Sequence, residues 1–285
     1  MVAMHEPKLR IAIDARVFLR GGGDLASGII LRLARSGLTI LVAELAQPVS
    51  VRRLVSFSQA VYEGQSTVEG ITAVKIQFQE EAISAWIRGA VPVMVDPEGA
   101  ARGWFQPDVV VDARMRKTAE AFPVTGQTMV IGLGPGFCAP VNCHAVIETK
   151  RGPYLGRVIW DGSAEEDTGE PDGVNGLRSE RVLRSPAAGV IKTCATIGER
   201  LEVGSPIAEV SGISIRAPFT GYLRGLLQNG IAVEKNMKIG DMDPRDDPRL
   251  CHLVSDKALA VGGGVLEAIL TWNRNGEKTP DGTQR

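Results

Sequence analysis

The 285-residue chain has little cysteine, almost no net charge and no long apolar run. Four cysteines, Cys138, Cys143, Cys194 and Cys251, make no disulfide framework in a chain of this length, so reduced thiols and a cytoplasmic setting are expected. A formal net charge of −1 gives no reason to expect a nucleic acid or an anionic membrane as partner. The longest apolar stretches, residues 28–33 and 39–43, fall far short of the ~20 residues a membrane helix needs. Residues 1–10 lack the apolar core of a signal peptide. A Ser-His-Asp order, a Walker A sequence, a paired-carboxylate site and a Cys-x-x-Cys pair are all missing, so no catalytic constellation is read and no metal is expected.

What the chain does have is glycine, 33 of them, gathered at turns. Residues 11–20 read as a strand that runs into Gly21-Gly22-Gly23-Asp24-Leu25-Ala26. Leu25, Ile29, Ile30, Leu33 and Ala34 then recur at helical spacing up to Gly37, and residues 39–43 form a second buried strand closed by Glu44. Gly21, Gly23 and Ala26 fill the three slots of G-x-G-x-x-A. Such a loop brings backbone N–H groups to a diphosphate at a helix N-terminus, and an acid after the second strand receives ribose hydroxyls. Gly21, Gly22, Gly23, Asp24, Ala26 and Glu44 are therefore candidate cofactor-binding residues, with NAD favoured over its 2′-phosphate because of Glu44. Arg52 and Arg53 are candidates for a bound anion. Strands at 74–76, 92–95 and 109–111 alternate with a helix at 80–88, so the front half is expected to be a parallel, Rossmann-like α/β sheet. Its ligands would collect at the carboxyl ends of the strands, where Gly23, Glu44, Asp96 and Asp112 fall.

A second glycine loop, Gly132-Leu133-Gly134-Pro135-Gly136-Phe137, follows the strand at 129–131 and adds Gly134 and Gly136 to the cofactor candidates. Beyond it, Cys143, His144, Glu148 and Arg151 form the densest group of polar chemistry, a candidate ligand or substrate site. Cys143 and His144 are adjacent on a strand, which points them to opposite faces and argues against a catalytic Cys–His pair.

The back half carries an internal repeat. With a shift of 32 residues, Ser185-Pro186-Ala187-Ala188-Gly189 superposes on Ala217-Pro218-Phe219-Thr220-Gly221, and Ile207 and Glu209 fall on Ile239 and Asp241. Two such halves resemble the biotinyl/lipoyl family, the all-β barrel-sandwich hybrid, in which each half is a layer that cannot bury its own face. Carriers of that family hold a lysine at the hairpin tip between the halves. Here the tip reads Glu209-Val210-Ser211-Gly212-Ile213-Ser214, so no biotin or lipoate is expected to be attached. The expected division is residues 1–128 (Rossmann-like, nucleotide-binding), 129–181 (connecting β segment), 182–245 (lipoyl-like, without the carrier lysine) and 246–285 (helical segment and tail).

Taken in order, several motifs resemble the selenium-dependent molybdenum hydroxylase system proteins, an accessory and maturation family of the YqeB-like kind. They are Arg20-Gly21-Gly22-Gly23-Asp24-Leu25-Ala26, Val130-Ile131-Gly132-Leu133-Gly134-Pro135-Gly136-Phe137, His144-Ala145-Val146-Ile147-Glu148-Thr149-Lys150-Arg151-Gly152, Gly240-Asp241-Met242-Asp243-Pro244-Arg245 and Gly262-Gly263-Gly264-Val265. The resemblance implies a role beside an enzyme. The expected ligand is then NAD or a molybdopterin nucleotide, and the expected partner a molybdenum hydroxylase client or its cofactor. An NAD-dependent oxidoreductase with its substrate near Cys143 and His144 is the alternative.

Overall fold

The computed structural model describes residues 14–115, 127–166, 174, 176, 177 and 179–276. The first 160 residues build a nine-stranded sheet. Its strands are β1 (Arg16–Arg20), β2 (Thr39–Glu44), β3 (Gln65–Val68), β4 (Ile71–Ile76), β5 (Val91–Val95), β6 (Val109–Asp112), β7 (Met129–Leu133), β9 (Ala145–Ile147) and β10 (Val158–Ile159). They lie in the order β10-β9-β7-β6-β1-β2-β5-β4-β3. All neighbours from β9 to β4 are parallel, and the two edge pairs, β3–β4 and β9–β10, are antiparallel. The central strands β1 and β6 are buried on both faces, which is why they read as unbroken apolar runs rather than alternating ones. A two-stranded ladder, β8 (Cys138–Ala139) with β11 (Gly162–Ser163), flanks the β7 side.

Helix α1 (Asp24–Arg35) follows the first glycine loop and ends where expected, with Gly37 at φ +83 and its N–H on the Ala34 carbonyl. It is buried nearly all round, more than a surface helix should be. The cause is α5 (Asp256–Gly276), which arrives from the far end of the chain and lies against it. The contact is made by glycine. A Cβ on Gly28 would overlap the Ala258 carbonyl, one on Gly262 would press on the Gly28 carbonyl, and one on Gly264 would overlap the Gly156 carbonyl. Gly263, between them, faces open space. The helix continues through Asn273, where the sequence suggests a disordered tail, while residues 277–285 lie outside the described ones. The opposite face of the sheet is covered by α3 (Gln79–Ile87) and α4 (Arg102–Phe105), with Phe18, Leu41, Ile76, Ala82 and Phe105 in that core. The remaining helical turn is α2 (Ala60–Glu63).

Residues 182–243 form two four-stranded antiparallel sheets. One runs β12 (Val182–Arg184), β19 (Lys238–Asp243), β17 (Gly221–Leu226), β14 (Arg200–Leu201), and the other β16 (Ile213–Arg216), β15 (Pro206–Val210), β13 (Gly189–Thr193), β18 (Ala232–Val233). The 32-residue repeat explains the pattern: β12 to β15 belong to the first copy and β16 to β19 to the second, and each sheet takes two strands from each copy. Ile191, Ile207, Val210, Leu223, Leu226, Ile239 and Met242 meet between the sheets.

The expectation of a Rossmann-like domain followed by a biotinyl/lipoyl-like barrel-sandwich hybrid is corrected. The sheet is a large mixed one, closed by antiparallel hairpins at both edges, and residues on both sides of position 128 share it. One of its covering helices comes from the C-terminal segment, so it is not a self-contained N-terminal nucleotide domain. Nor is the β unit a free carrier module. Leu226 N–H donates to the Val51 carbonyl, Arg53 Nε to the Leu226 carbonyl at 2.8 Å, and Gly225 leaves room for Val51. Its hairpin tip is a tight turn with Ser211 and Gly212 both at positive φ, a conformation selected for the turn alone.

Candidate functional site

The strand order reverses between β1 and β6. From β1 the chain steps one way to β2, and from β6 the other way to β7, so the carboxyl ends of these strands splay apart and leave a crevice. A cavity of about 510 Å³ opens there, floored by Arg20, Glu44, Asp96 and Arg114 beside Gly21 and Gly23. Leu45 and Val49, each 48% exposed, give its mouth an apolar wall.

Glu44, Asp96, Arg20 and Arg114 are each fixed by specific partners. Gly21, at φ +94, donates its N–H to the Ala43 carbonyl, which bends the chain sharply off β1. Glu44 accepts from Gly22 N–H at 2.6 Å and from Leu45 N–H at 2.8 Å. Burial pushes its carboxyl pKa up, and these two amides oppose the rise. Both oxygens of Glu44 are thus engaged, one holding the glycine loop and the other the turn after β2. Asp112, almost wholly buried, is forked by Arg114 through Nε at 3.0 Å and Nη2 at 2.6 Å and approached by Arg20 at 3.9 Å. Arg20 also donates to the Pro97 carbonyl at 3.2 Å. Asp96 accepts from Ala100 and Ala101 N–H and so shapes the turn below the cavity. The N-cap of α1 is Gly23, with no side-chain cap, and the first intrahelical bond is Ser27 N–H to Gly23 carbonyl. The amides of the first turn therefore present their partial positive charge at the cavity edge.

The other candidates are placed elsewhere. Ala26 is core, and Asp24 turns away to be forked by Arg52 at 3.1 and 3.2 Å. Arg52, buried and lowered in pKa chiefly by desolvation, also donates to the Leu250 and Leu253 carbonyls, while Arg53 holds Leu226 and Gln228. Arg53 thus holds the β unit, and Arg52 holds the stretch that follows it. Gly134, at φ +70, donates to the Ile147 carbonyl, and Gly136 turns at φ +102. They lie at the carboxyl edge beyond β7 and do not line the cavity.

Cys143 is fully buried among Val130, Phe137 and Val146, and burial pushes its thiol up to about 12. The His144 ring accepts the Val130 N–H at Nδ1 (2.9 Å) and lies edge-on to Trp272, with desolvation lowering its pKa. Glu148 accepts from Lys150 and Glu165 N–H, both at 2.7 Å, and Arg151 forks Asp256. Among the described residues no group of three or more His, Cys, Asp or Glu is arranged to hold a metal.

Fold and site together define an α/β protein with a cavity at its strand reversal. No protein-family model matches the chain. It is similar to the uncharacterized protein YqeB of Escherichia coli (strain K12), with 45% identity over 267 residues, 92% of this chain and 48% of that protein. The chain thus spans about half the length of the curated relative it matches.

Among solved structures it is similar to an aspartoacylase family protein from Mesorhizobium loti MAFF303099, with 10% identity over 81% of this chain and 85% of that one, at a TM-score of 0.26. The ectoine utilization protein EutE (DoeB) from Ruegeria pomeroyi matches at 10% identity over 81% and 86%, TM-score 0.26. A succinylglutamate desuccinylase from Silicibacter sp. TM1040 matches at 13% over 81% and 86%, TM-score 0.24. At TM-scores this low the likenesses lend the chain neither a fold nor a chemistry. None of the matched proteins is described by molybdenum or selenium, so that expectation gains no support from them. No helix of the described residues is long and apolar enough to cross a membrane.

Proposed function

We propose that the chain is an accessory protein that binds a small ligand combining an anionic group with an apolar ring, of which NAD and a molybdopterin nucleotide are examples. The observation that carries this reading is the composition of the carboxyl-edge cavity. It brings together an uncapped helix start, the guanidiniums of Arg20 and Arg114, which also hold Asp112, and the exposed Leu45 and Val49. A catalytic role has less behind it. Two of the cavity's acids, Glu44 and Asp96, are committed to backbone amides, and His144, which the oxidoreductase alternative needs as its base, is engaged with Val130.

Titration calorimetry with NAD and with nucleoside diphosphates tests the site. Gly23→Val sets a branched side chain against Ser50 at the cavity edge and should weaken binding about tenfold or more, the loss of roughly one good charge-assisted contact. Lys192→Ala, on the distant β unit, should leave it unchanged. Equal affinity of folded wild type and Gly23→Val defeats the reading. The finer role, maturation of a molybdenum hydroxylase, rests on the motif resemblance alone. Its test is hydroxylase activity in a strain lacking the chain, where full activity would dismiss it.

A further inference from the structure

A second surface, independent of the cavity, lies on the opposite side of the molecule. Helix α3 buries Ala82 and Ala85 against the sheet and turns Glu80, Ile83, Ser84 and Ile87 outward at i, i+3, i+4 and i+7. Ile87 is 81% exposed and Ile83 48%, and Phe78, just before the helix, is 62% exposed. A groove of about 250 Å³ runs inward from the stripe between α3 and α4, its apolar wall made by Ile83, Trp86, Trp104 and Phe105 and the rest by the polar Asp14, Arg16, Thr39 and Gln79. Scattered exposed apolar residues need no explanation, but a helical stripe that runs into an aromatic groove marks an interface.

The charges say what fits it. The stripe is acidic at its start, where Glu80 is exposed, and basic at its end, where Arg88 caps the helix. Glu81 is occupied, accepting from Gln77 and Phe78 N–H. A surface negative at one end and positive at the other is complementary to itself turned end for end. We propose that α3 pairs antiparallel with α3 of a second copy of this chain, forming a two-fold dimer. Ser84, small and central, lets the helices approach, Ile83 and Ile87 interdigitate, and Glu80 of each copy meets Arg88 of the other. The antiparallel arrangement also opposes the two helix dipoles favourably.

Sedimentation equilibrium of the full chain tests this. Wild type should associate to a dimer, and Ile87→Asp should weaken association about tenfold or more, by setting a charge against the apolar face of the partner helix. Arg88→Glu should weaken it as well, by setting like charges together, and adding Glu80→Arg should restore it. A wild type that stays monomeric into the submillimolar range overturns the proposal. So does an Ile87→Asp variant that dimerises like wild type, or a charge swap that fails to recover association.

Discussion

Three consecutive glycines in α5 should respond to alanine with opposite signs. In a helix interior, Gly→Ala ordinarily stabilises by about 0.8–1 kcal/mol, because alanine loses less backbone freedom on folding. Gly263 faces open space, so Gly263→Ala should show that gain in full. At Gly262 and Gly264 the new methyl meets main chain, the carbonyl of Gly28 on α1 and that of Gly156 in the turn between β9 and β10. Main chain cannot rotate aside as a side chain does, so α5 must lift off its bed. Overpacking of this kind costs about 1–3 kcal/mol and outweighs the propensity gain. The propensity gain is common to all three, so variants one residue apart should separate by the overpacking cost itself, about 1–3 kcal/mol, or several degrees in Tm for a chain of this size. Urea denaturation followed by circular dichroism, with Gly28→Ala as the reciprocal variant on α1, gives the measurement. If all three alanines shift the midpoint in the same direction, the close α1–α5 packing described above is wrong.

Two further outcomes follow from the buried polar groups. Because burial lowers the His144 pKa below 6.5 and its neutral Nδ1 accepts the Val130 N–H, the unfolded chain takes up a proton there before the folded one does. Stability should thus be full above pH 6.5 and decline as pH falls below it, and His144→Phe should flatten that limb of a pH–stability curve while leaving a lower plateau. Cys143, buried and with its thiol pushed up to about 12, should resist iodoacetamide at neutral pH in the native protein, whereas exposed Cys194 should react. Peptide mass spectrometry reads both sites, and rapid native labelling of Cys143 would contradict the packing around it.

Local structure was legible where one signal decided it. The apolar runs at 39–43 and 109–111, the glycine stop at Gly37 and the shifted repeat each specify a strand, an end or a copy without help from the rest of the chain. Partnership between distant segments was not. Gly262 and Gly264 stand in the sequence only as part of a glycine motif, and nothing local says that their neighbours are Gly28 and Gly156. Arg52 and Arg53 look like anion binders because paired arginines usually are solvated or bind anions. Their actual partners, Asp24 and the carbonyls of Leu226, Leu250 and Leu253, lie far along the sequence. Arg20 and Arg114, which floor the cavity, carried only a faint sign, a charged residue ending an otherwise apolar strand and an Asp-x-Arg step after another. The hairpin β3–β4 at the sheet edge has no strong alternation, since one of its faces is half exposed.

The exchange of strands between the two 32-residue copies has a consequence for how this part of the chain comes into being. Neither copy contains a sheet of its own: removing either takes two strands from both layers at once. A fragment ending between the copies is therefore not half a stable unit but an unfolded peptide, and a nascent chain gains nothing from the first copy until the second has emerged. A lone copy has one route to the same architecture, to trade strands with a twin, as domain-swapped dimers do. Joining two copies in tandem turns that encounter into an intramolecular one at high effective concentration, and it leaves each copy free to diverge. The two sheets, equivalent in plan, are thereby released to face different neighbours, one of them seated against Val51 and Arg53.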